Sequence, residues 1–152
     1  MSIEEDIGDI LTKAGRAPHV LSRKQVWEWQ QTWRERFAKE LFSDTGKWML
    51  RGLDWHVLNS NYHEAFTKEH ALERYGVVAP GPFLVVSGSR HKDFGFLCQG
   101  HPPAISVGGF DLLIFPCSLS WTMALTHSPD YGPFFVRPSD DDIGRLTPIP
   151  ES

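Results

Sequence analysis

Between residues 119 and 128 the chain reads LSWTMALTHS, and its side chains alternate without a break. Leu119, Trp121, Met123, Leu125 and His127 fall on one side at period two, while Ser120, Thr122, Ala124, Thr126 and Ser128 fall on the other. That spacing specifies an extended strand with one large apolar face and one small, hydroxyl-bearing face. A strand of this kind must lie in a sheet, and its apolar face needs a cover. The pattern also bears on chemistry. Ser120 lies an odd number of residues from His127, so the two face apart and cannot form a nucleophile–base pair. Ser128, adjacent to His127, fails for the same reason unless a turn begins there. No Gly-x-Ser-x-Gly elbow is present. His127, at the strand's end beside Pro129, is expected to bond a neighbouring carbonyl or acid.

The rest of the sequence supplies the sheet and its cover. Ser2 followed by Glu5 is a capping box, and Ile3, Ile7, Ile10 and Leu11 form one stripe, which predicts a helix over residues 3 to 14 ended by Gly15. RAPHV then reads as a connector. Ser22 and Gln25 repeat the capping signal before QVWEWQQTWRERFAKELF. There Val26, Trp29, Trp33, Phe37 and Leu41 share a face, which predicts a helix of about 20 residues. Trp27 and Phe42 lie off that stripe, so this helix is covered on a second side or presents an aromatic to a partner, and core packing is the simpler expectation.

Alternation in LDWHVL predicts a strand near residues 53 to 58. Thr67, with Phe66 stapled onto Ala71, predicts a short helix over 68 to 75, with Gly76 as its left-handed terminus. From there PFLVVSG, DFGFLCQ, FDLLIFP, the opening stretch and GPFFVRP read as consecutive strands. SRHKD is a hairpin loop and PPAISVGG an irregular connector. The expectation is an α+β domain over residues 1 to 138. Its N-terminal helices would pack on one face of a mainly antiparallel sheet of five or six strands, with an acidic, proline-containing tail over 139 to 152.

Composition narrows the function classes. A chain of 152 residues with 41% hydrophobic and 22% charged residues is ordinary for one globular domain. Its net charge of −4 argues against nucleic acid as the main partner, although Arg34, Arg36 and Lys39 form a local basic cluster that a solvated helix face explains equally well. No apolar run is long enough to cross a membrane, and the acidic start MSIEEDIGDI is unlike a signal peptide, so a cytoplasmic location is expected. Cys98 and Cys117 fit that compartment as free thiols.

Other chemistry finds little purchase. Cys98 and His101 have a two-residue spacing seen in zinc sites, with His91 nearby, but no second close pair completes a metal pattern. His56, His63, Asp54 and Glu64 are scattered candidates. The glycines of VGGF and PGPF neither lead into a helix nor carry a phosphate-binding lysine. Asp140, Asp141 and Asp142 lack the closing Glu of a calcium loop. No cofactor is implied. The remaining signal is aromatic: Trp55, Trp121, Tyr131 and Phe134 lie in or beside predicted strands, where they fill a core or anchor a protein partner.

WHVLNSNY, from Trp55 to Tyr62, together with SLSWTMALTHSPDYGPFF resembles a family of small bacterial proteins, the domain-of-unknown-function family numbered 4275. The matching positions are Trp55, His56, Trp121, Thr122, Thr126, His127, Gly132, Pro133 and Phe135. Ser128 stands where that family tends to carry Glu, Phe134 where it has Tyr, and VLNSNY replaces its Phe-Ser-Tyr segment. The resemblance spans residues 53 to 136 and implies no established activity. It does imply that Trp55, His56, Trp121 and His127 come together.

Two functions fit these observations. The first is a non-enzymatic protein-binding module, for instance a toxin-neutralising immunity protein whose partner is a basic toxin domain, with Trp55, Trp121, Tyr131 and Phe134 as anchors. The second is an enzyme or small-ligand protein using His56 and His127, with Asp54, in a pocket at the end of the sheet.

Overall fold

The computed structural model describes residues 2–37, 66–87, 93–105, 111–126 and 133–137. Among these residues three helices, α1 (Ile3–Lys13), α2 (Arg23–Phe37) and α3 (Lys68–Gly76), accompany seven strands. These are β1 (His19–Val20), β2 (Phe66–Thr67), β3 (Phe83–Ser87), β4 (Gly95–Cys98), β5 (Leu112–Pro116), β6 (Thr122–Leu125) and β7 (Phe134–Val136). They form one sheet in the order β1-β4-β3-β5-β6-β7-β2. Every pairing is antiparallel. The α+β class and the antiparallel sheet are as the sequence predicts.

Strand number differs from the expectation for a simple reason. Both edges are two-residue strands too short to show any periodicity. One of them, His19–Val20, lies inside RAPHV, which reads as a connector, and pairs with Phe96 and Leu97. The strand expected near residues 53 to 58 lies outside the described residues.

The helices do not share one face. Val85, Ile114, Met123 and Phe135 are register partners, and they pack with Ile7 and Leu11 of α1 and Ala71 and Tyr75 of α3. The alternate residues Leu84, Val86, Leu113, Phe115 and Ala124 pack with Val26, Trp33 and Phe37 of α2. The sheet is therefore covered on both sides. This explains why FLVV and LLIF are apolar at successive positions: each residue meets a helix layer whichever way it points. Helical periodicity marks which face of a helix is buried but not which side of a sheet it meets.

Local chemistry fixes how the helices begin. At α2 the Ser22 backbone N–H donates to Gln25 Oε1 at 2.9 Å and the Gln25 N–H to Ser22 Oγ at 3.2 Å, a complete capping box. Leu21 and Val26, the residues just before and four after the cap, are both buried. They converge on Gly95, where an added Cβ would lie 3.2 Å from Val26 Cγ2, 3.3 Å from Leu21 Cδ1 and 3.0 Å from Val86 Cγ1. Next in sequence, Phe96 reaches the opposite face, its ring 3.4 Å from where a Cβ on Gly8 of α1 would stand. Two glycines thus let two helices close on adjacent residues of one strand. At α1, Ser2 Oγ accepts the Glu5 N–H, and Gly15 at φ 75° ends the helix as predicted. At α3 the predictions are partly corrected. Thr67 is the N-cap but makes no side-chain capping bond, and Phe66 carries the Arg74 guanidinium over its ring at 4.5 Å. Gly76 is the last helical residue rather than a left-handed one.

Candidate functional site

β6 shows what the alternating stretch does. Trp121 and Met123 join the α1/α3 core, with Leu125 packed against it, while Ala124 faces α2. The regular strand covers only Thr122–Leu125. Before it, Leu119 N–H donates to the Pro116 carbonyl oxygen at 2.9 Å, and Leu119 adopts φ 59°. Leu119 is therefore in a turn and packs against the α2 core, not on Trp121's side. The hydroxyl face is not a solvent face. Thr122 is fully buried, and its Oγ1 accepts the Trp33 Nε1–H at 2.8 Å. Alternation alone carries no signal for that bond, because the partner is 89 residues away.

The predicted site residues divide into three groups. Asp54, Trp55, His56, His127 and Tyr131 lie outside the described residues. Trp121 and Phe134 are each 4% exposed and sit on opposite faces of the sheet, so as surface anchors for a partner they are corrected to core residues. Trp121 stacks on Phe135 at 5.7 Å and meets Tyr75 edge-on at 6.0 Å. The third group is Cys98 and His101. Cys98 is fully buried in the α1/α3 core, and burial pushes its thiol up to about 12, which keeps it protonated and a poor ligand. His101 Nε2 lies 3.1 Å from the Gly76 carbonyl oxygen. No group of three His, Cys, Asp or Glu among the described residues could hold a metal ion. Both cysteines are free thiols. Cys98 belongs to one core and Cys117 packs against the other, with the sheet between them.

Two further features stand out in the structure, the first of them without a signal in the sequence. One is a cavity of about 190 Å³ at the end of the sheet where β6 begins. Pro80, Pro82, Pro102 and Pro116 form much of its wall, and Ser118, Ser120, Trp121 and Arg137 supply its polar groups. Two exchanged backbone bonds of 3.1 Å between Gly81 and Gly100 tie the flanking loops together. Gly100 has φ 101°, open to glycine and strained for other residues. The Arg16 side chain braces the same loop by donating to the carbonyl oxygens of His101 and Ala14. The turn at Leu119 leaves the Ser118 and Ser120 hydroxyls 3.0 Å apart on the cavity wall.

The chain matches no family model, no curated protein and no solved structure. The geometry of the molecule itself must therefore carry the functional reading.

The second feature is Trp27. Core packing is the simpler expectation for it, yet it is 58% exposed on α2. On the helix, Arg23 and Lys24 precede it by one turn, and both are exposed. No helix among the described residues is long and apolar enough to cross a membrane.

Proposed function

We propose that this protein is a non-enzymatic protein-binding module that docks its partner on the outward face of α2. One observation carries the reading: Trp27 leaves 58% of its surface in water on a helix whose opposite face is firmly anchored. Tryptophan is strongly enriched at the energetic centres of interfaces, where its ring fills a pocket on the partner. A capped helix pinned by Trp33 and Val26 offers that ring at little cost in entropy. Arg23 and Lys24 beside it call for acidic groups at the rim of the contact, while the net charge of −4 draws a basic partner from a distance. Neutralising a basic toxin domain that carries a local acidic patch is the concrete form of this role.

Affinity capture from the source cell with wild type, Trp27→Ala and Leu72→Ala tests it. Leu72 is 53% exposed on α3 and serves as a surface control. A partner retained by wild type and Leu72→Ala but lost by Trp27→Ala is the expected result. A partner held equally by all three would sink the assignment to α2.

A further inference from the structure

The cavity at the start of β6 contains an imbalance that packing does not explain. Tryptophan indole N–H groups normally find an acceptor when buried, because an unpaired donor in a low-dielectric interior carries its full desolvation cost. Trp33 obeys the rule through Thr122. Trp121 is 4% exposed and lines the cavity, and its contacts are the rings of Tyr75 and Phe135. Among the described residues its N–H has no acceptor. The other polar side chains on the wall also offer donors: the Arg137 guanidinium and the Ser118–Ser120 hydroxyl pair, which shares one proton across 3.0 Å and keeps the other to donate. Arg137 is the only charged side chain among the described residues that line the space. The proline walls contribute no N–H of their own. A cavity that holds an unmatched buried indole N–H and, among its described lining side chains, one guanidinium and no carboxylate matches an anionic acceptor.

Size selects among anions. The volume of about 190 Å³ falls below the roughly 300 Å³ at which sites for drug-sized ligands begin. The planar guanidinium favours a planar, two-oxygen partner that it can hold bidentately. We propose that this cavity binds a small carboxylate, held by Arg137, with Trp121 Nε1–H and the Ser118–Ser120 hydroxyl pair as further donors. The carboxylate comes from a free short-chain acid or from the end of a peptide chain. The site is independent of the α2 surface, so either can fail alone.

The test uses the full chain labelled with ¹⁵N, with the Trp121 indole resonance assigned by Trp121→Phe or, if that variant does not fold, by its contacts to Phe135. Acetate and propionate should move the Trp121 indole N–H downfield while leaving the Trp33 indole in place, and acetamide and propionamide should not. Arg137→Gln should weaken binding about tenfold or more, the loss expected when a charge-assisted hydrogen bond is removed. Ser120→Ala should weaken it less. A short peptide with a free C-terminus, compared with its amidated form, separates the two sources, and tighter binding of the peptide acid assigns the site to a chain terminus. An unmoved indole, equal responses to acid and amide, unchanged affinity in Arg137→Gln, or preference for inorganic phosphate would each overturn the proposal.

Discussion

The two faces of the sheet are built from the same strands but closed in different ways. Over α2 the layer is sealed: a complete capping box starts the helix, Leu21 and Val26 close on Gly95, and the buried Trp33 N–H is matched to the buried Thr122 hydroxyl. Over α1 and α3 the layer holds groups that titrate or stay unmatched. Tyr75 and Cys98 lie in that core, and Trp121 borders a cavity with no acceptor for its N–H among the described residues. One face is finished as a scaffold, and the other keeps polar capacity unspent. The functional features follow that split. The sealed face can present Trp27 rigidly because its inner side is fixed, whereas the cavity depends on the looser chemistry of the other.

The strongest way to break the comparison is Trp33→Ala. It empties the centre of the sealed layer and should cost about 3–5 kcal/mol, read from the urea midpoint. A loss much smaller than that would show that α2 is not firmly seated. Thr122→Val keeps the shape but strands the Trp33 N–H, and a cost of about 1–3 kcal/mol is expected. Gly95→Ala forces a Cβ within 3.0 Å of Val86 and 3.2 Å of Val26. Overpacking of this kind costs about 1–3 kcal/mol, and thermal melting would show it.

Alkaline pH sharpens the comparison from the other side. Burial raises the Cys98 thiol from its ordinary 9.0 to about 12, and burial, with Cys98 next in effect, pushes Tyr75 above its own ordinary range. Below about 9 both folded and unfolded chains keep the thiol proton. As pH rises from there toward 12, the unfolded chain releases it first, so stability falls across that window. Denaturation midpoints taken with rising pH should decline, and Cys98→Ala should flatten part of the slope. A midpoint independent of pH would contradict the buried placement of these groups. The smallest effect on stability belongs to Trp27→Ala, within about 0.5 kcal/mol as for an exposed residue, even where it abolishes partner capture.

Much of this architecture is legible residue by residue. Ser22 and Gln25 announce the start of α2, the Val26–Trp33–Phe37 stripe its buried side, and Gly15 the end of α1. The apolar runs at Phe83–Ser87 and Leu112–Pro116 mark central strands. What stays hidden depends on distant partners. His19–Val20 becomes a strand only because β4 offers an edge. The side of the sheet that each helix covers is set by chain path, not by periodicity. Trp27 and Trp121 illustrate the limit for function: both are tryptophans within predicted elements, and only the assembled layers expose the first and bury the second. The cavity gathers residues from four short segments, and no local spacing links Pro80 to Arg137.

Hydrogen exchange of the tryptophan indole protons, followed by ¹⁵N-resolved NMR, tests the contrast between the faces most directly. The Trp33 proton should exchange only with global unfolding, held by Thr122, and the Trp121 proton should exchange markedly faster through the cavity. Equal protection of the two, or faster exchange at Trp33, would contradict the account.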